Sequence, residues 1–122
     1  MDKIILNLIK LQNQIRVLHW QTRKYSEHKA FGKTYEDLDG LIDQLVEVHQ
    51  GKHGQFSFDG EAIVELRNYS ELSIMDILSE VTSYLSEHFN QIHNPSTDTD
   101  CLNIRDEILA VLNKLKYLLT LN

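Results

Sequence analysis

Apolar side chains recur every three or four residues along most of this chain, the repeat of helices with one buried face. From Asp2 to about Lys24 the stripe is Ile4, Leu8, Leu11, Ile15 and Leu18. Phe31, Tyr35, Leu38, Ile42 and Leu45 predict a second helix, with Ser26 as its N-cap and Gly51 and Gly54 at its end. Ser73, three residues before Asp76, predicts the capped start of a third. Its stripe is Ile74, Leu78, Val81, Leu85 and His88, followed by Ile92, and Pro95 stops it. A fourth stripe, Ile104, Ile108, Val111, Leu115 and Leu118, runs to the chain end.

The spacers complete the outline. Residues 51–60, GKHGQFSFDG, predict a loop, residues 60–68 a short helix capped by Asp59, and NPSTDTD a turn. Short first and last joints with a longer middle connection predict one all-α domain over residues 1–122: a four-helix bundle with a short crossover helix between helices 2 and 3.

Composition narrows the function. The 122 residues are 42% hydrophobic and 25% charged, ordinary for a globular domain. A net charge of −6 with no basic run argues against binding nucleic acid, whose affinity comes mainly from Lys and Arg neutralising phosphates. No apolar run approaches the roughly 18 residues of a membrane span. The apolar start Ile4-Ile5-Leu6 is broken by Asn7 and Lys10 and lacks a signal-peptide cleavage pattern, so the expected location is cytoplasmic. The lone Cys101 has no partner for an internal disulfide.

The second helix holds the candidate chemistry. Glu36, Asp37, Asp39, Asp43 and Glu47 fall between Thr34 and Gly51 with no Lys or Arg among them. Asp39, Asp43 and Glu47 are spaced i, i+4, i+8 along one ridge, where like charges repel. Solvent, a partner chain or a cation can offset that repulsion. His19 near the end of helix 1 and His28 near the start of helix 2 become neighbours in an antiparallel pair. Asp43 cannot join them within one chain, since fifteen helical residues from His28 span ~22 Å and direct ligands lie ~2 Å from a metal. Two copies paired antiparallel through helix 2, about an axis near Asp37 and Leu38, would bring Asp43 and Glu47 of one chain to His19 and His28 of the other. That mixed ligand set suits iron, zinc or manganese alike. An intramolecular di-iron site is disfavoured, because no Glu-x-x-His occurs.

His19-Trp20, His28, Phe31, Tyr35, Leu38, Asp43 and Glu47 resemble the ferroxidase region of Dps-type miniferritins, and the likeness extends loosely through ELRNYSELSI and NKLKYLLTL. The resemblance implies a ferritin-like bundle and a homo-oligomer with an inter-subunit site that oxidises ferrous iron, its metal ligands being His19, His28, Asp43 and Glu47. It also implies hydrogen peroxide as a common oxidant and a hollow dodecamer as the store. Gly32 stands where that family has an aspartate, so Gly32→Asp is expected to restore a ligand. The family's DNA-binding Lys-rich tail has no counterpart here. The alternative reading is a non-catalytic helical assembly or interaction protein with a degenerate metal site.

Other signals read more plainly. Trp20 is expected at a helix interface, His88 as a hydrogen-bonded core or interface residue, and Cys101 buried or inert. His49 and His53 are i, i+4, a spacing that can bind metal, but the intervening Gly51 and the favourable helix C-terminal dipole make them ordinary end residues, like His93. Arg23 and His28 fit the Arg-x4-His of HEPN-class ribonucleases, without a basic surface to hold RNA.

Overall fold

A computed structural model describes residues 1–121. Four helices account for most of them: α1 Asp2–Gln21, α2 Tyr25–His53, α3 Ile74–Ile92 and α4 Thr99–Leu118. The described residues contain no strand, so the all-α bundle is observed directly. Joints 22–24 and 93–98 are short and the connection 54–73 is long. Around the bundle α1 packs on α2, α2 on α4 and α4 on α3, while α1 and α3 meet more lightly.

The stripes of α1, α2 and α4 bury as the periodicity predicts: Leu8, Ile15, Leu18, Phe31, Leu38, Leu45, Ile108 and Leu115 are fully enclosed. Ser73 caps α3, its hydroxyl accepting from the Asp76 amide at 3.4 Å. Helix α2 begins at Tyr25 with Lys24 at its N-cap, so Ser26 lies inside the first turn. Gly51 stays helical, and Gly54, at φ 86°, terminates the helix in a conformation that side chains with a Cβ resist.

Three further expectations are corrected. The predicted helix over residues 60–68 does not form, and only a 3₁₀ turn, Tyr69–Glu71, follows. Gln14, buried on α1, captures this segment instead. Its amide oxygen accepts from Arg67 N at 2.8 Å and its NH₂ donates to Arg67 O at 2.9 Å. Ala62 and Val64 are half-buried while Ile63 and Glu65 are exposed, the period of two of an extended chain. His88 is exposed against Tyr84, because the buried face of α3 continues from Leu85 to Phe89 and His93. Trp20 is largely exposed rather than packed at an interface.

Candidate metal centre

The end of α2, the end of α3 and the start of α4 converge. His49 lies one turn from the C-terminus of α2, His93 caps α3, and Cys101 sits in the first turn of α4. All three are buried, and one ligand atom from each lies within 4.8 Å of the others. The local sequence explains the convergence. Pro95 ends α3, and Asn94 Oδ1 accepts from the amides of Ser96 and Thr97, tightening the turn. Asp98 Oδ2 accepts from Asn94 N at 2.8 Å, which ties the start of α4 to the end of α3.

Hydrogen bonds set the imidazole tautomers. His93 Nδ1 lies 3.1 Å from the Phe89 carbonyl, which only accepts, so Nδ1 carries the proton and Nε2 a lone pair. In the neutral pair, His49 Nδ1–H therefore donates to His93 Nε2 at 3.0 Å. Burial first, then the neighbouring His93 and His53, pushes the His49 pKa down to about 4. Burial likewise lowers that of His93 and raises that of the Cys101 thiol. At neutral pH the pocket holds two uncharged imidazoles and a protonated thiol.

A cation could take the place of the shared proton if the Cys101 sulfur, within 4.8 Å of both nitrogens, moved in by up to about 1 Å. Bonds of ~2.0 Å to nitrogen and ~2.3 Å to sulfur in a tetrahedron put ligand atoms ~3.3–3.6 Å apart. The His49–His93 separation of 3.0 Å needs only a few tenths of an ångström of expansion. Binding would leave the His49 proton on Nε2 and release that of the thiol. The Phe89 carbonyl already orients His93 in the manner usual for metal-bound histidines.

The ligands predicted from the sequence divide. His19 and His28 do meet, with rings stacked at 3.9 Å and 14° between planes. Each Nδ1–H donates to the other's backbone carbonyl, at 2.7 and 2.8 Å, leaving both Nε2 atoms with lone pairs. Nearly parallel rings do not aim those lone pairs at one point, so a shared ion requires a ring to turn. Asp43 and Glu47 are exposed on α2, and Gln12 of α1 donates to Asp39 on the same ridge at 2.9 Å. A Cβ at Gly32 would lie 2.9 Å from His19 Cε1, so this glycine leaves space for the imidazole. Gly32→Asp would push the His19 ring aside before offering a carboxylate, contrary to the sequence expectation.

His49, His93 and Cys101 were individually visible in the sequence but unlinked. The i, i+4 spacing of His49 and His53 was the one local signal, and it holds because α2 continues to His53. Elsewhere Asn7, Lys10, Gln14, Glu65, Arg67 and Glu80 line an open groove beside α1 and α3, with exposed charges of both signs. No described helix is long and apolar enough to cross a membrane.

An all-α bundle with a buried histidine–cysteine cluster is thus the class of protein in view. The chain belongs to the family of unknown function DUF5856, which matches residues 19–119 and so includes every member of that cluster. No curated protein and no solved structure matches it.

Proposed function

We propose that this protein binds a transition-metal ion, preferentially Zn²⁺, at His49, His93 and Cys101, and that the ion fastens the α2, α3 and α4 ends together. The observation that carries this reading is the burial of three ligand atoms within 4.8 Å of one another, from three helix ends. Two imidazoles and a thiolate suit Zn²⁺ over the hard cations Mg²⁺ and Ca²⁺. Cys101 is free, so the ion supplies a cross-link where no disulfide does. Zinc titrated into metal-free protein should bind at one per chain, with about one thiol proton released. An ion that binds only the folded chain adds about 2.7 kcal/mol at 100 times its Kd, a Tm rise on the order of 10 °C for this size. Absence of saturable zinc binding, or retention of wild-type affinity by Cys101→Ser, would overturn the reading.

A second reading rests on the reciprocal Nδ1-to-carbonyl bonds of His19 and His28, which leave two Nε2 lone pairs near the bundle surface. It is the ferritin-like one: an inter-subunit iron site completed by Asp43 and Glu47 of a second copy, with ferroxidase activity in the homo-oligomer. One long crossover is also the connectivity of ferritin-like bundles. Mixing tests it. A His19→Ala/His28→Ala chain and an Asp43→Ala/Glu47→Ala chain, each inactive alone, should together regain iron oxidation. No recovery in verified heterodimers, with active wild type, rules out shared sites.

A further inference from the structure

Zinc commonly takes four ligands, and the buried cluster offers three. His53 is the final residue of α2, one helical turn beyond His49 on the same face. Its ring centre lies 4.9 Å from that of His49 and 6.1 Å from that of His93. Its Nε2 is bonded to Asp98 Oδ1 at 2.9 Å. Asp98 itself is unusual: its side chain is only 4% exposed, yet it has several partners. Oδ2 accepts from the Asn94 amide, and Oδ1 faces both His53 Nε2 and Lys52 Nζ, the latter at 3.3 Å. Three donors around one carboxylate favour its ionised form.

We infer that His53 is the fourth ligand of this centre, binding through Nδ1 while Asp98 holds and orients its Nε2–H. The inference rests on the three-ligand reading above. An anionic acceptor at Nε2 places the proton there and leaves Nδ1 with a lone pair, the carboxylate–histidine–metal arrangement that orients many zinc ligands. With its oxygens already engaged, Asp98 is better suited to anchor the imidazole than to bind the ion. His53 can travel. Its side chain is 40% exposed, and Gly54 ends the helix immediately after it. Rotation about its Cα–Cβ and Cβ–Cγ bonds would have to carry Nδ1 toward the cluster, with the Asp98 carboxylate following Nε2. Charge balance favours the move as well: Zn²⁺ with one thiolate keeps one positive charge, which the buried carboxylate offsets.

Cobalt(II) titrated into the full chain tests this optically. Wild type should show thiolate-to-cobalt charge transfer and the intense visible bands of a four-coordinate ion, both unchanged by azide. His53→Ala should keep the charge transfer, because Cys101 still binds, but lose affinity by about tenfold or more. Its visible bands should then respond to azide or imidazole, with imidazole restoring the wild-type pattern. Asp98→Asn, checked for helicity by circular dichroism, should weaken binding by roughly 10–100-fold with the four-coordinate spectrum retained. If wild-type cobalt already takes up azide, or His53→Ala matches wild type in affinity and spectrum, His53 is not a ligand. Cobalt binding to wild type without thiolate charge transfer, or no binding, refutes the three-ligand centre and His53 with it.

Discussion

Burial makes His49 sensitive to acid. Its pKa in the folded chain is about 4, against an ordinary value of 6.5. Between these values the unfolded chain binds more protons, so stability present above pH 6.5 is lost progressively as the pH falls toward 4. The loss for this one group is on the order of 3 kcal/mol. His93, also lowered by burial, adds in the same direction. Urea unfolding of metal-free protein across this range should show the decline, and His49→Gln should flatten it. An unchanged slope in His49→Gln would assign the effect elsewhere. Gly32 gives a second residue-scale prediction. Gly32→Asp pushes the His19 ring from its stack and strains its bond to the His28 carbonyl, so it should cost about 1–2 kcal/mol. Thermal melts measure this, and a gain in stability together with tighter iron binding would restore the missing-ligand explanation. The pairing of His19 with His28 followed from a hairpin argument on the sequence. The reason for Gly32 did not, because a gap beneath a ring exists only after two helices pack.

At the scale of elements, α1, α2 and α4 follow from apolar periodicity, since each buries the stripe its own residues define. The crossover does not. Residues 60–68 offer apolar positions compatible with either a helix or an extended chain, and Gln14, 53 positions from Arg67, decides between them. Gln14→Leu removes both hydrogen bonds to Arg67 and leaves its amide and carbonyl without those partners, at about 2–3 kcal/mol. Amide exchange in residues 61–72 should accelerate while that of α2 and α4 holds. Uniform acceleration throughout the chain would mean that the crossover opens only with global unfolding. Helix α3 shows a finer limit of the same kind. Both His88 and Phe89 continue its pattern, and contact with Arg105 helps distinguish them: its guanidinium carbon lies 5.3 Å from the centre of the Phe89 ring. Periodicity marks a face to within a residue, and the neighbouring helix selects the rotation.

For the whole molecule, α2 offers a second copy little apolar surface near the expected axis, because Leu38 and Ile42 are buried in the chain's own core and Leu41 is only half-exposed. The two metal readings consequently separate on dilution. Zinc bound by His49, His93 and Cys101 should keep its affinity at any protein concentration. Iron held between subunits should be lost as the oligomer dissociates, which parallel metal titrations and light scattering can follow. Zinc affinity that falls with dissociation would instead move that ion to an interface. The sequence by itself determined the helical class, three of the buried stripes, the Ser73 cap, the stop at Pro95 and the neighbouring His19 and His28. All depend on residues within a few turns or across one short joint. Only the tertiary structure decided the extended crossover, the role of Gly32 and the meeting of His49, His93 and Cys101. Those ligands come from three helix ends, and the 44 positions between His49 and His93 carry no local periodicity to announce their contact. Packing and the turn tied by Asp98 bring them together.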